Sequence, residues 1–460
     1  MTVTPVHPAD LEPTLVADHI YATRRRRVRL DVAVTIGILI VLLYALPARL
    51  IVPGLTYAGR PALLLALVLF AWWVLSRINP WLVMVGPQPL RWVCLFYLLS
   101  MTLSYLAGMV RGLPTLEANA QDFTILMGLE FLGLILTAAD GLANWGRLRI
   151  VLRVYVWLAA FMAALGAIQS VFALDLTQYL LIPGLELKGD LAGFAERGDV
   201  GQFRVAGTAT HPIEFSTVMA MAAPFAVHFA LYGPTRRSRR VYLALALLIA
   251  GVIPMAISRT GVVAIGAVGL VMFLIAWNWR IRYNVMLIGT AAVIGLAFVK
   301  PGLLGTLKAM FVWFDADPSI ESRKVDYEYV GYWFAQRPWL GRGPGTLIPD
   351  LYLFLDNQWL YSLVTTGLVG VAALATLHVT CIWLAALAYR RSDRQEDRHL
   401  CAALIAVQVV AMLVAATFDS LSFTTFTFTL AFMSGLCGAV WRFTHPARTV
   451  RTSTVRTHDR

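Results

Sequence analysis

Along most of this chain, apolar residues come in blocks of about 20, separated by short stretches rich in Arg. No other feature constrains the fold as tightly. A bilayer core is about 30 Å thick, and crossing it takes about 20 residues at the helical rise of 1.5 Å. Inside that core every peptide N–H and C=O must find its partner within the chain, so repeated blocks of this length predict helices. Composition agrees. Of 460 residues, 59% are hydrophobic and 14% are charged, whereas a soluble chain carries about 25% charged residues. The expected fold is an all-α integral membrane protein with about 12 transmembrane helices.

The blocks fall at about 31–52, 61–76, 91–110, 122–139, 150–174, 213–232, 241–257, 260–277, 283–300, 358–388, 400–418 and 421–441. This divides the chain into an N-terminal tail (1–30), a polytopic membrane domain (31–441) and a C-terminal tail (442–460). The first 23 residues contain no Lys or Arg, so they lack the basic start of a signal peptide. Orientation follows from the excess of basic residues on the cytoplasmic side of membrane proteins. With the N-terminus inside, 25 of the 38 basic residues lie inside, including the dense runs Arg24–Arg27 and Arg236–Arg240. Both termini are therefore expected in the cytoplasm.

The net charge of +12 does not indicate nucleic acid, because its clusters sit between apolar blocks, where anionic lipid heads lie. The four cysteines, Cys94, Cys381, Cys401 and Cys437, all fall inside apolar blocks without metal-ligand spacing and read as small packing residues. No cofactor or metal is expected from these patterns.

Two outside loops exceed ordinary connector length, 175–211 and 301–357. The second, a large extracytoplasmic loop, is expected to contain a short amphipathic helix. Asp317-Pro318 has the form of an N-cap followed by a first-turn proline, and Arg337-Pro338 that of an end. Val325, Tyr329, Tyr332 and Trp333 recur at helical spacing between them.

The candidate functional residues collect on these loops. Arg204, Arg259 and Arg323 lie on the face where Arg is disfavoured, and guanidinium forks suit diphosphate oxygens. Surface ion pairing, as between Arg323 and Asp326, or snorkelling to lipid phosphate for Arg259, accounts for each one separately. His211-Pro212-Ile213-Glu214 and Asp356-Asn357 sit where the two loops enter the membrane, where polar pairs mark a site or cap a helix. Asp315-Ala316-Asp317 has paired-aspartate spacing, but Asp317 already fits the cap. Arg342, in a glycine-rich turn, is expected to face water. Glu130, His228 and His378 lie deep in spans and read either as packing groups or as relay residues of a transporter.

Six pieces occur in order: Arg204-x-x-Gly207-x-x-x-His211-Pro212-x-x-Phe215, Ser258-Arg259-x-Gly261, Ser322-Arg323, Pro338-x-Leu340-Gly341-x-Gly343-Pro344-Gly345, Asp356-Asn357-x-x-Leu360 and Thr366-Gly367-Leu368-x-Gly370. Over residues 200–375 the chain resembles the O-antigen ligase and polymerase superfamily of membrane glycosyltransferases. The resemblance implies a bacterial cytoplasmic-membrane enzyme that moves a glycan from undecaprenyl diphosphate to a glycan or lipid acceptor. It implies no nucleotide and, in the ligases, no metal. It maps diphosphate binding to Arg259 and Arg323, with Arg204 as a third. Members often carry His-Asn where this chain has Asp356-Asn357, and that His is implicated in activating the acceptor hydroxyl. Asp356, His211 and Glu214 are therefore all candidates for the base, and Asn357 for orienting the acceptor. The alternative is a lipid-linked oligosaccharide flippase or other transporter.

Overall fold

The computed structural model describes residues 31–55, 59–78, 86–188, 195–196, 203–299, 318–349 and 351–446, together with Gly302 and Gly305. Thirteen helices occupy these residues: α1 (Val32–Ala45), α2 (Pro61–Ser76), α3 (Pro89–Arg111), α4 (Thr115–Gly141), α5 (Trp145–Phe172), α6 (Pro212–Tyr232), α7 (Arg236–Val252), α8 (Arg259–Ile275), α9 (Trp279–Val299), α10 (Pro318–Gln336), α11 (Gln358–Arg391), α12 (Gln395–Val414) and α13 (Thr424–Thr444). Among the described residues, nine helices are long and apolar enough to cross a membrane, and α1, α2 and α8 are shorter apolar helices. A helix, α10, does occupy the second long stretch between apolar blocks.

Local chemistry sets the helix ends. Pro61, Pro89 and Pro212 open α2, α3 and α6, where the missing N–H costs nothing. Side chains of Asn144, Thr235 and Ser258 cap α5, α7 and α8. The first block is shorter as a helix than its apolar length, expected to reach residue 52. It stops at Ala45, ahead of Pro47, and Leu50–Ile51 pairs antiparallel with Glu186–Leu187 instead.

The centre of the bundle is α6, α12 and α13. The apolar stretch of α13 is 94% buried, while no residue of that of α9 is fully buried. Tyr155 sits at the heart of the core, edge-on to Tyr44, Phe225 and Phe432 at ring distances of 5.5, 6.1 and 5.8 Å. All four cysteines are buried and unbridged, as packing residues are. His228 meets His399 at 3.3 Å and His378 meets Gln408 at 3.3 Å, so both histidines have polar partners inside the bundle. Ion pairs tie the end of the bundle opposite the long loops, among them Arg91–Asp140 at 3.0 Å and Arg149–Glu396 at 2.7 Å.

One spanning helix is broken. Within α11, Gly367 has φ 66° and ψ −169°, far from helical values. The segment after α10 turns back against this break. Arg342 and Gly343 donate to the carbonyls of Val364 and Thr365, and Leu368 and Val369 donate to those of Pro338 and Trp339. A Cβ at Gly341 would stand 2.4 Å from the Thr365 oxygen, and one at Gly367 would stand 2.3 Å from the Trp339 oxygen. Two of the glycine-rich pieces of the sequence are thus the two halves of one backbone junction. Non-helical backbone at this depth is tolerated only where it is enclosed by protein or lines a cavity.

Candidate active site at the loop-rich end

Helices α6, α8, α11 and α13 all begin at the end of the bundle that carries the long loops. Their first residues meet around the turn between α12 and α13, residues 415–423. Thr260 of α8 bonds Thr417 at 3.2 Å. The Gln358 backbone N–H donates to the carbonyls of Ala415 and Phe418. His211 stacks near Phe423 with ring centroids 5.9 Å apart. Each helix start contributes partial positive charge and outward-pointing N–H groups, which suits an anion.

Glu214 holds this arrangement together. It is fully buried and both carboxylate oxygens are engaged. Oε1 accepts from the N–H groups of Thr425 and Phe426 at 2.7 and 3.1 Å, capping α13. Oε2 accepts from the Thr210 N–H and hydroxyl at 2.8 and 2.6 Å, fixing the loop that carries His211. Arg60, itself buried, donates to Thr424 and Thr425 at 2.6 and 3.1 Å and lies close enough to stabilise the Glu214 charge.

His211 is the N-cap of α6. Its Nδ1 accepts from the Ile213 N–H at 3.2 Å. A backbone N–H only donates, so the neutral ring carries its proton on Nε2 and offers a donor there. Burial, and then the charges of Arg204 and Arg49, lower its pKa to about 4. Arg204, half-buried on the two-residue strand Phe203–Arg204, donates through Nε to the Ala256 carbonyl at 3.3 Å. That carbonyl lies in the turn leading into Ser258-Arg259. Ile257 in this turn has φ 48°, a costly conformation for a β-branched residue and of the kind that gathers at functional sites. The Ser258 hydroxyl caps α8, and a Cβ at Gly261 would stand 2.4 Å from the Ser216 Cβ, so the glycine admits α8 close to α6. Arg49 and Arg204 therefore lie near His211 at the start of α6, and Arg204 bonds the turn that leads into Arg259 at the start of α8.

Asn357 caps α11, accepting from Trp359 and Leu360 at 2.9 and 3.2 Å, and its Nδ2 donates to Ala416 in the central turn at 3.2 Å. Asp356 is left outside the cap and is exposed. Facing it electrostatically is Asp419, which the sequence reading did not single out. Asp419 is 6% exposed, and its Oδ1 is buried without a hydrogen-bond partner among the described residues. Burial raises its pKa to about 7 against the lowering effect of a hydrogen bond from Ser422, with a small addition from Asp356. A lone acid in a nine-residue connector gave no sequence signal. Only its burial distinguishes it.

Arg323 lies in α10, but its side chain is outside the described residues, as are Asp315 and Asp317. The buried face of α10 carries Tyr329, Val330 and Trp333 against Leu347, Tyr352 and Leu355. Tyr332, expected on that face, is exposed. Arg342 departs furthest from expectation. It does not face water but is 3% exposed, with its guanidinium 3.7 Å from the Trp333 ring centre and 3.5 Å from the Glu117 carboxylate. It donates to the Tyr352 hydroxyl at 2.7 Å, and Tyr352 donates in turn to Glu117. The junction with α11 pulls the glycine-rich turn into the bundle, and the side chain goes with it.

The fold is that of a polytopic helical membrane protein, and a polar cluster that includes buried Glu214 and Asp419 lies at one end. Residues 244–375 match the O-antigen ligase family, which supports membership of the O-antigen ligase and polymerase superfamily. The match contains Arg259, Arg323, the glycine-rich junction and Asp356-Asn357. Arg204, His211, Glu214 and Asp419 lie outside it. The family indicates a ligase- or polymerase-type role in polysaccharide assembly. A search of curated proteins returns no match.

Proposed function

We propose that this chain transfers a glycan from undecaprenyl diphosphate to a glycan or lipid acceptor at the outer face of a bacterial cytoplasmic membrane, with the loop-rich end outside. The observation that carries the reading is the meeting, around one turn, of His211, with Arg49 and Arg204 near it, and a buried aspartate. The bond from the anomeric carbon to the diphosphate oxygen breaks while a bond to the acceptor hydroxyl oxygen forms. Negative charge grows on the departing diphosphate. Arg204 and Arg259, with Arg323 from α10, stabilise it, and the Nε2–H of His211 adds a neutral donor. The acceptor proton passes to Asp419, whose pKa of about 7 suits a base at neutral pH better than an ordinary carboxylate. Burial holds that pKa up, and Asp356 nearby adds a little. Glu214, whose oxygens are all engaged, acts as a positioning residue. In this reading the arginines carry the charge that a metal carries in other transferases.

A second reading rests on Glu130. This residue is fully buried within α4, and neither of its carboxylate oxygens has a hydrogen-bond partner among the described residues. Such a group in mid-span suits a relay in a flippase. One assay separates the readings. Purified protein is given an undecaprenyl-diphosphate glycan and an acceptor. Release of undecaprenyl diphosphate with glycan extension is the expected result. Vesicle-to-vesicle movement of intact donor without bond transfer would overturn it.

A further inference from the structure

The burial of Arg342 is not explained by charge pairing alone. Its carboxylate neighbour, Glu117, already has a counter-charge, because Arg111 pairs with it across the turn between α3 and α4. A second guanidinium on one buried carboxylate gains little pairing and still loses its water. Arg342 is 3% exposed, and its Nε has no hydrogen-bond partner among the described residues. What this second arginine supplies is a link. Its guanidinium lies 3.7 Å from the Trp333 ring centre on α10 and 4.6 Å from that of Tyr352. Its backbone N–H donates to the Val364 carbonyl at the break in α11 at 3.0 Å, and its carbonyl accepts from Arg111 Nε at 3.3 Å. One residue thus joins the facing ends of α3 and α4, the break in α11, and α10.

Helix α10 depends on such a link. Its apolar face packs outside the main core, in a small cluster whose buried members among the described residues are Val330, Leu347, Leu355 and Val364. So little buried apolar area holds a helix of 19 residues only weakly. Just past its end, Arg337 donates to the Ala107 carbonyl at 3.4 Å, a second polar tie to α3.

The same helix carries Arg323, ten residues before Trp333. That separation is about 15 Å along the axis, so a tilt of about 10° at Trp333 moves Arg323 by about 2.6 Å. Displacements of this size are costly for a group that must meet a transition state. We infer that Arg342 is a positioning residue for the transfer: by clamping Trp333 beside Tyr352 and Glu117 it fixes α10, and through α10 it fixes Arg323. The inference rests on the transfer reading above.

The test reads position and chemistry separately. Spin labels on Glu328→Cys in α10 and Val110→Cys at the end of α3, both exposed, report their separation in full-length protein in lipid nanodiscs. The four native cysteines are buried. Wild-type protein should give a narrow distance distribution. Arg342→Ala should broaden it and lower turnover of a lipid-linked donor about tenfold, while the Arg111–Glu117 pair keeps the bundle folded. Trp333→Ala leaves every charge of the cluster in place and should do the same, which covers poor folding of the first variant. Arg342→Lys keeps the charge beside Glu117 and should restore the narrow distribution and most of the turnover. Adding Arg342→Ala to Arg323→Ala should cost nothing beyond Arg323→Ala alone, since both act through one guanidinium. Losses that multiply, or a narrow distribution in both alanine variants, would overturn the inference. A broad distribution in wild type would overturn the clamp itself. A narrow wild-type distribution without donor turnover would instead sink the transfer reading and leave the anchoring of α10 standing.

Discussion

Glu214 and Asp419 are both buried acids at the loop-rich end, in helix starts and turns that touch each other, yet their surroundings differ. Glu214 receives four hydrogen bonds and has buried Arg60 nearby. Asp419 has one oxygen with no partner among the described residues and an exposed aspartate as its neighbour. The contrast teaches what burial alone does not. An acid whose lone pairs are all engaged is part of the frame, whereas a buried acid with spare acceptor capacity is held ready for a proton.

The sharpest break in this comparison is removal of Glu214. Glu214→Ala uncaps α13, frees the Thr210 loop and leaves the Arg60 charge buried without its counter-charge. Removing one partner from such a buried arrangement costs about 3–5 kcal/mol. The expected outcome is little folded protein in detergent, read by size-exclusion and thermal denaturation. A folded, stable variant that lacks turnover would make Glu214 a chemical group after all.

Asp419→Asn should behave in the opposite way. Loss of a general base costs about 10²–10⁴ in rate, while the folded protein becomes more stable. The sign follows from the raised pKa. Between about pH 4 and 7 the folded state holds a proton that the unfolded carboxyl has lost, so wild-type stability falls as pH rises through that window. Asn removes this penalty, so the gain in Tm over wild type should be larger at pH 8 than at pH 5.

Arg259→Lys keeps the charge but loses the planar fork, and should lower turnover about a hundredfold with stability unchanged. Unchanged turnover would make this arginine structural. Arg342→Lys should be the mildest for chemistry but is not silent. It loses the fit against Trp333 and Tyr352, and the expected result is a stability loss of about 1–2 kcal/mol with turnover within severalfold of wild type. A large drop in turnover at full stability would move Arg342 into the site.

Much of the scaffold was legible in the sequence because bilayer thickness sets block length. The block 61–76 coincides with α2, and Asp317-Pro318 and Arg337-Pro338 bracket α10 (Pro318–Gln336). The ordered motif pieces contain His211 and Asn357, which the fold brings to the turn 415–423, and Arg204, which instead bonds the Ala256 carbonyl. Three features were hidden. The break at Gly367 lies inside an unbroken apolar run and only exists because a distant segment supplies its hydrogen bonds. Arg342 sits among glycines that read as an exposed turn until that junction draws them inward. Asp419 is a single acid in a short connector, and neither spacing nor composition reports that the helices around it exclude water.

The most direct test of the account is the pH dependence of undecaprenyl diphosphate release from a defined lipid-linked donor in the presence of acceptor, measured from pH 5 to 9 for wild type and Asp419→Asn. The account predicts that wild-type turnover rises through about pH 7 and then levels off, as Asp419 loses its proton. It predicts that the variant is slow throughout, without that rise. A variant with wild-type turnover and the same rise would place the base elsewhere and contradict the assignment of the buried aspartate.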